Sequence, residues 1–439
     1  MQMVNSMVEK SMWNPRMEKI SRGELKELQW KRLQHQLNHA YVNAKFIHEK
    51  FDEANLKPSD VKSLDDFSKK VPIMNKEMLR EYRNKTEDPF GGVLAVPLEE
   101  VAVVPRSTGT TGKPTFIPAS VRDVDRLAEM WARGFWAADV RPGQKVTDWI
   151  YTWHSWEWMC WAGFKKIGAA SLHLDGYPMF NELNLEASAT YKAEVLFIPT
   201  LPLINLTQLI REKGIDIKKY WPELKSVIHA GDILSKPILE DLRKTWGEVR
   251  VYSTGGSGDP YHMTYACKPY SETMHFPEDF YYPEIVDPET LETVSAGERG
   301  NLVITPLWNE ALPYIRWDQE DLVEPYFEPC ECGRTLARFL YLGRTVWSVK
   351  VKEKRIAMRD VEDIVYSFPE VLGKPYQLVG LKQQPQENLI VRVAATQQTL
   401  TNIKKKLEEE LKVPTNMEQI SAEEVKVMPH KLVKFVKRS

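Results

Sequence analysis

Between residues 194 and 252 the chain alternates strand-like and helix-like segments, and no other feature narrows its fold as much. Glu194-Val-Leu-Phe-Ile-Pro199 and Ser226-Val-Ile-His-Ala-Gly231 are short apolar runs, and Val249-Arg-Val-Tyr252 is a third. Helical segments, Leu203 to Glu212 and Lys236 to Trp246, separate them. Buried strands in strict succession with helices imply a parallel sheet between helical layers. Upstream, Leu25, Leu28, Leu33, Leu37 and Tyr41 have the spacing of an amphipathic helix over 22–41, and Ser120-Val-Arg-Asp123 is a capping box opening a helix to about Ala138. Helix starts are also expected at Ser63 and near Met74-Asn75. From Gly297 to Thr305 the chain becomes β-rich.

Near Gly343-Arg344 the organisation changes. A helix near Arg359 to Phe368, strands over Tyr376–Leu381 and Asn388–Ala395, a helix over Thr399–Leu411 and a last strand at Val425–Met428 make a domain-sized α+β unit. The expected fold class is therefore α/β: a large N-terminal layered α/β domain with a β-rich subregion, residues 1–342, and a small C-terminal α+β domain, residues 343–439.

Arg106-Ser-Thr-Gly-Thr-Thr-Gly-Lys-Pro-Thr115 lies between two extended runs, Val101–Val104 and Thr115–Pro118. Gly109 and Gly112 permit positive φ and close approach of a ligand to the backbone. Ser107, Thr108, Thr110 and Thr111 add hydroxyl donors, and Arg106 and Lys113 add positive charge, so the loop is equipped to cradle phosphates. It is not a Walker loop: position 107 is Ser where that motif has Gly, and Pro114 keeps the chain from entering a helix after Lys113. A polar hairpin loop is the plain alternative.

Four further groups stand out. Ser253-Thr-Gly-Gly-Ser-Gly-Asp259 follows a strand, where ligands bind in α/β sheets. Pro313-Tyr-Ile-Arg-Trp-Asp-Gln-Glu-Asp321 is a charge-rich segment. Trp149, Trp153, Trp156, Trp158 and Trp161, with Tyr151 and His154, are too dense for chance, and the group is expected to form a pocket wall. Cys330-Glu-Cys332, with Cys267 and His275 upstream, offers the Cys₃His set of a closed structural zinc site; two unrelated turns with inert thiols are the alternative.

Ser107 to Thr115 closely resembles the phosphate loop of the adenylate-forming, acyl-CoA synthetase superfamily, and the whole chain resembles its phenylacetate–CoA ligase branch. The resemblance implies that Ser107, Thr108, Gly109, Thr110, Thr111, Gly112 and Lys113 hold the ATP phosphates. It matches Gly256 and Asp259 to the glycine and Mg²⁺-binding acid of Tyr-Gly-x-x-Glu, with Gly255 replacing the aromatic and Tyr252 close by. Asp321 matches the ribose-binding acid, with Glu320 where glycine is usual, and Arg344 the arginine after the hinge glycine. Lys431 matches the near-terminal catalytic lysine, with Lys434 as second choice, and some members of the branch carry zinc on residues matching Cys267, His275, Cys330 and Cys332. The C-terminal domain would be a mobile lid. Val346 replaces the hinge aspartate, and Glu353 stands where a glycine lines the CoA tunnel.

The expected reaction is adenylation of a carboxylic acid, aromatic in view of the tryptophans, by Mg·ATP, followed by transfer to CoA. The expected cofactors are ATP, Mg²⁺, CoA and a structural Zn²⁺. Two other readings stay open: transfer of the acyl group to an amine or carrier protein, suggested by Glu353, and a non-catalytic nucleotide- or acyl-binding relative. A net charge of −2 argues against nucleic acid or an anionic membrane as partner. Four cysteines, too few and too unevenly spread for a disulfide framework, and the lack of any long apolar run or signal pattern point to a cytoplasmic protein. A homodimer is compatible with this reading.

Overall fold

The computed structural model describes residues 11–107, 114–295, 297–425, 427–428 and 431–438, the side chains at 427, 428, 431 and 432 excepted. Its central feature is a twelve-stranded sheet, one member of which is the two-residue strand Met74–Asn75 paired parallel with Trp317–Asp318. Five parallel strands form one half: β1 (Lys145–Asp148), β2 (Ala170–His173), β3 (Val195–Pro199), β4 (Ser226–Ala230) and β5 (Arg250–Gly256), in the order β2-β1-β3-β4-β5. β3 and β4 are buried along their whole length, which is why they read as unbroken apolar runs rather than alternating ones.

Antiparallel strands continue from β5: β6 (Met263–Tyr265), β7 (Thr273–His275), β8 (Tyr281–Val286), β9 (Gly300–Pro306), β10 (Trp317–Tyr326) and β11 (Arg338–Arg344). They are the β-rich subregion expected from the sequence. β1 and β2, each four residues long, escaped the sequence reading.

Helices cover the sheet: α1 (Arg22–Asn43), α2 (Leu64–Lys70), α3 (Lys76–Thr86), α4 (Val121–Ala137), α5 (Ser155–Ile167), α6 (Asn181–Tyr191), α7 (Thr200–Glu212) and α8 (Lys236–Trp246). Ser21 and Glu24 close a capping box on α1, and Ser120 and Asp123 close the expected one on α4. Such caps are each worth about 1 kcal/mol. Asp123 does more than cap, because its carboxylate also accepts the backbone N–H groups of Glu310 (2.7 Å) and Ala311 (2.9 Å), tying α4 to the loop before β10.

β11 runs unbroken through Gly343 to Arg344, two residues past the expected boundary. Beyond it a separate four-stranded sheet, β12 (Tyr376–Leu381), β13 (Leu389–Val393), β14 (Thr415–Gln419) and β15 (Phe435–Arg438), packs with α9 (Met358–Val365) and α10 (Gln397–Leu411). Its apolar side chains join those of α7, α8 and the parallel strands in one continuous core. No helix among the described residues is long and apolar enough to cross a membrane.

Candidate functional site

A cavity of about 670 Å³ opens at the carboxyl ends of the parallel strands. Pro199, Ala230 and Gly256, the last residues of β3, β4 and β5, line it, with Ile150 just beyond β1. Parallel strands end together, so the turns that follow them converge on one cleft, the usual ligand position in such sheets.

The residue that opens the glycine-rich segment stands at this cleft. Ser107 lines it, with its backbone N–H donating to Thr115 (2.9 Å) and its Oγ accepting from the Thr115 N–H (3.0 Å). Arg106 pairs across the hairpin with Phe116, so both flanks have the extended form expected of them. Thr108, Gly109, Thr110, Thr111, Gly112 and Lys113 lie outside the described residues. The Arg106 guanidinium stacks 4.5 Å from the centre of the Trp153 ring, holding the loop's first cation against the turn before α5.

Gly256, Ser257 and Gly258 also line the cleft. Gly256 has φ +149°, and a Cβ there would fall 2.1 Å from the His262 carbonyl oxygen, so no other residue fits. The Ser257 N–H donates to His262 Nδ1 (3.2 Å), and burial pushes the His262 pKa down to about 3, keeping that nitrogen an acceptor. Asp259 does not line the cleft. Its buried carboxylate holds Lys76 Nζ at 2.7 Å, and Lys76 does line it. Tyr252 points the other way, with its hydroxyl donating to Asp139, so it is not available as a platform for a base.

Asp321 and Arg344 face each other on β10 and β11 and both line the cleft. Arg344 Nε lies 3.6 Å from Asp321 Oδ1, and its Nη2 donates to the Gln319 carbonyl at 3.1 Å. Burial raises the Asp321 pKa to about 6 against the opposing pull of Arg344. Their approach depends on a bulge. Asn301 pairs with Leu322 and Val303 with Asp318, so Gln319, Glu320 and Asp321 together oppose Leu302 alone. A bulge of this kind re-aims side chains out of the ladder. Glu320 sits at its apex with φ +61°, the conformation that the usual glycine adopts freely.

The last strand brings Phe435 and Lys437 to the same cleft. The backbone of Lys431 is in a short strand paired with Met428, but its side chain lies outside the described atoms. Lys434 is buried between Glu362 (2.7 Å) and Asp232 (3.2 Å). Burial works against its charge, yet the two acids outweigh it and raise the pKa. Asp232, in the turn after β4, also lines the cleft. Val346 is half-exposed at the cleft, whereas Glu353 is exposed in a hairpin turn and does not line it.

The tryptophan group is divided, which corrects the expected pocket wall. Only Trp156, with Tyr151 and His154, lines the cleft; it packs edge-on against Trp131 (4.9 Å between ring centres). Trp149 is in the core, donating to Ser188 (3.2 Å), and Trp153 lies under Arg106. Trp158 and Trp161 are exposed on the outer face of α5. On α5, Trp156 and Trp158 are two residues apart and so point to different faces, whereas Trp158 and Trp161, three apart, share the outer one. Sequence reasoning also passed over Lys76 and Arg80, one helical turn apart on α3 and both at the cleft. Their spacing was the available signal.

The four expected metal ligands meet at one point on β7 and the two loops beside it. Cys267 Sγ is 3.7 Å from Cys330 Sγ, and Cys332 Sγ is 3.4 Å from His275 Nε2. All four donor atoms lie within 4.8 Å of one another. A zinc tetrahedron built on Zn–S of about 2.3 Å and Zn–N of about 2.0–2.1 Å has edges of about 3.5–3.8 Å, close to these spacings. His275 Nδ1 bonds the Leu336 carbonyl (3.2 Å), which leaves Nε2 as the donor towards the cysteines. The residues fit a four-coordinate Zn²⁺ with no open position.

With this arrangement the sequence matches the AMP-binding enzyme family over residues 26–306, and the chain belongs to that family. Within it the chain is 30% identical over 380 residues to the phenylacetate–coenzyme A ligase of Thermus thermophilus, covering 84% of this chain and 81% of the relative. The phenylacetate–coenzyme A ligase of Escherichia coli is 27% identical over 388 residues, 88% of this chain and 85% of its own. Among solved structures, a 2-hydroxyisobutyryl-CoA ligase in its postadenylation state superposes with a TM-score of 0.84 at 22% identity, covering 98% of this chain and 92% of the other. The same ligase in its thioesterification state gives 0.72.

Proposed function

We propose that the protein is an AMP-forming carboxylate–CoA ligase acting on an aryl acid of the phenylacetate type. The observation that carries this reading is the meeting of Ser107, Gly256–Gly258, Asp321 and Arg344 at one cleft in a member of the AMP-binding enzyme family. The substrate carboxylate attacks the α-phosphorus of ATP, the bond to the β-phosphate oxygen breaks, and pyrophosphate leaves. The CoA thiol then attacks the acyl carbonyl of the adenylate, and AMP departs.

The chain's own part in these steps is positioning and charge. Asp321, when ionised, accepts the two ribose hydroxyls, and Arg344 holds that carboxylate in place. Ser107 begins the loop that takes the phosphates, and Lys431 neutralises charge developing at the α-phosphate. Mg²⁺ bound with ATP would supply further charge neutralisation. Asp259 can serve it only if Lys76 exchanges its carboxylate for a phosphate oxygen, because the two are ion-paired. Trp156 and Tyr151 supply an apolar aromatic wall for the acyl group. Residues 343–439 act as the lid, and Cys267, His275, Cys330 and Cys332 hold a structural zinc.

Transfer to CoA is preferred over transfer to an amine because Glu353, the residue that favoured the amine, is exposed on a turn outside the cleft. Acid-dependent exchange of labelled pyrophosphate into ATP tests the adenylation half. Aryl acids should support it better than acetate or a long-chain fatty acid. The reverse order would remove the aryl assignment, and no exchange with any acid would leave only a nucleotide-binding relative.

A further inference from the structure

A second cluster, which includes Glu157 next to Trp156 on α5, is made of residues to which the reaction assigns no part. Asp148 ends β1, His173 ends β2 as its direct partner in the parallel register, and Glu157 is in the first turn of α5. One donor atom from each lies within 4.8 Å of the other two. Glu157 Oε1 is 2.5 Å from His173 Nδ1, and Asp148 Oδ2 is 3.7 Å from the same nitrogen.

Asp148 and Glu157 lie close enough to act on each other's protonation, burial and the neighbouring Glu157 raising the Asp148 pKa, and three atoms of the cluster lack an aligned hydrogen-bond partner. Asp148 is fully buried, yet Oδ2 has no hydrogen-bond partner, its Oδ1 being taken by the Ile150 N–H (2.8 Å). Glu157 Oε2 is likewise buried and unpartnered. His173 Nδ1, although close to Glu157, lacks hydrogen-bond alignment with it. Meanwhile His173 Nε2 is 2.8 Å from Ser171 Oγ, the outer contact that fixes a ligating imidazole. No lysine or arginine among the described residues forms an ion pair with Asp148 or Glu157. Two buried carboxylates side by side need either a shared proton or a cation.

We propose that Asp148, Glu157 and His173 bind a divalent transition-metal ion, separate from both the cysteine site and the ATP cleft. Two carboxylates and an imidazole suit a cation that accepts oxygen and nitrogen donors together, and the absence of sulfur sets the site apart from the thiolate set. The ion joins the ends of β1 and β2 to the first turn of α5. Because α5 carries Trp156, it fixes one wall of the acyl pocket.

Mn²⁺ is the probe, since it disfavours thiolates and its free form is counted directly by electron paramagnetic resonance. Nucleotide-free, full-length protein should take up about one Mn²⁺ per chain. Asp148→Asn and His173→Gln should each weaken that uptake at least tenfold, while Cys330→Ser and Asp321→Asn leave it unchanged. His173 is partly exposed, so its variant folds even if the Asp148 one does not, and circular dichroism verifies both. Mn²⁺ should also raise the melting temperature of wild type but not of the His173 variant. Uptake lost in Asp321→Asn and kept in His173→Gln would assign the ion to the ATP cleft and overturn the proposal. No uptake at all would mean that the cluster holds a shared proton.

Discussion

Asp321 should make nucleoside binding depend on pH with a midpoint near 6. Its carboxylate is largely withdrawn from solvent, which raises the pKa to about 6 while Arg344 pulls the other way. To accept two ribose hydroxyls it must be ionised. At pH 5 a group with a pKa of about 6 is ionised in roughly one molecule in eleven, so binding should be about tenfold weaker than above pH 7, about 1.4 kcal/mol. Adenosine is the ligand to use, because it carries no phosphate that titrates in this range. Isothermal titration calorimetry between pH 5 and 7.5 reads the effect directly, and Asp321→Asn should flatten the profile. A flat wild-type profile would refute the reasoning, and an unchanged slope in Asp321→Asn would move the titration to another group. For stability the same shift has the opposite sense. The folded state keeps a proton that the unfolded chain has already released, so this contribution is present below the unfolded pKa of about 4 and lost as pH rises through about 6.

Purified protein should contain about one zinc per chain by elemental analysis, and Cys330→Ser should lose it with a lower melting temperature; metal-free protein of full stability would contradict the site. Glu320→Gly should stabilise the fold by about 1 kcal/mol in denaturant titration, because it relieves a left-handed backbone, whereas Glu320→Ala should not. Lys431→Ala should slow adenylate formation by about 10²–10³ and be largely rescued by supplied acyl-AMP, with equal loss in both half-reactions arguing for a folding defect instead. Lys434→Ala is no neutral control for that experiment, since it strands the buried Glu362 carboxylate and should cost about 3–5 kcal/mol of stability.

The sequence carried the α/β architecture because apolar runs such as Val195–Pro199 and capping boxes such as Ser120/Asp123 are local signals that tertiary packing did not override. The clustering of Cys267, His275, Cys330 and Cys332 was legible for a similar reason: few residue types ligate soft metals, so a small set of them stands out. The cleft was legible only in part. Ser107, Gly256, Asp321 and Arg344, all singled out from the sequence, meet at it, but Asp259 is turned inward to Lys76, an ion pair across 183 residues that no spacing rule reveals. The tryptophan segment misled because density along a chain says nothing about direction: Trp149 ends in the core and Trp158 in solvent. The bulge at Gln319–Asp321 was also invisible in advance, although Glu320 at a glycine position marked the spot.

The most direct test is a single reaction of the full chain with Mg·ATP, CoA and phenylacetate, in which AMP, pyrophosphate and acyl-CoA are measured together. The account predicts all three in equal amounts, with AMP absent when the acid is omitted. ADP in place of AMP, or AMP and pyrophosphate formed at full rate with no CoA thioester, would contradict it.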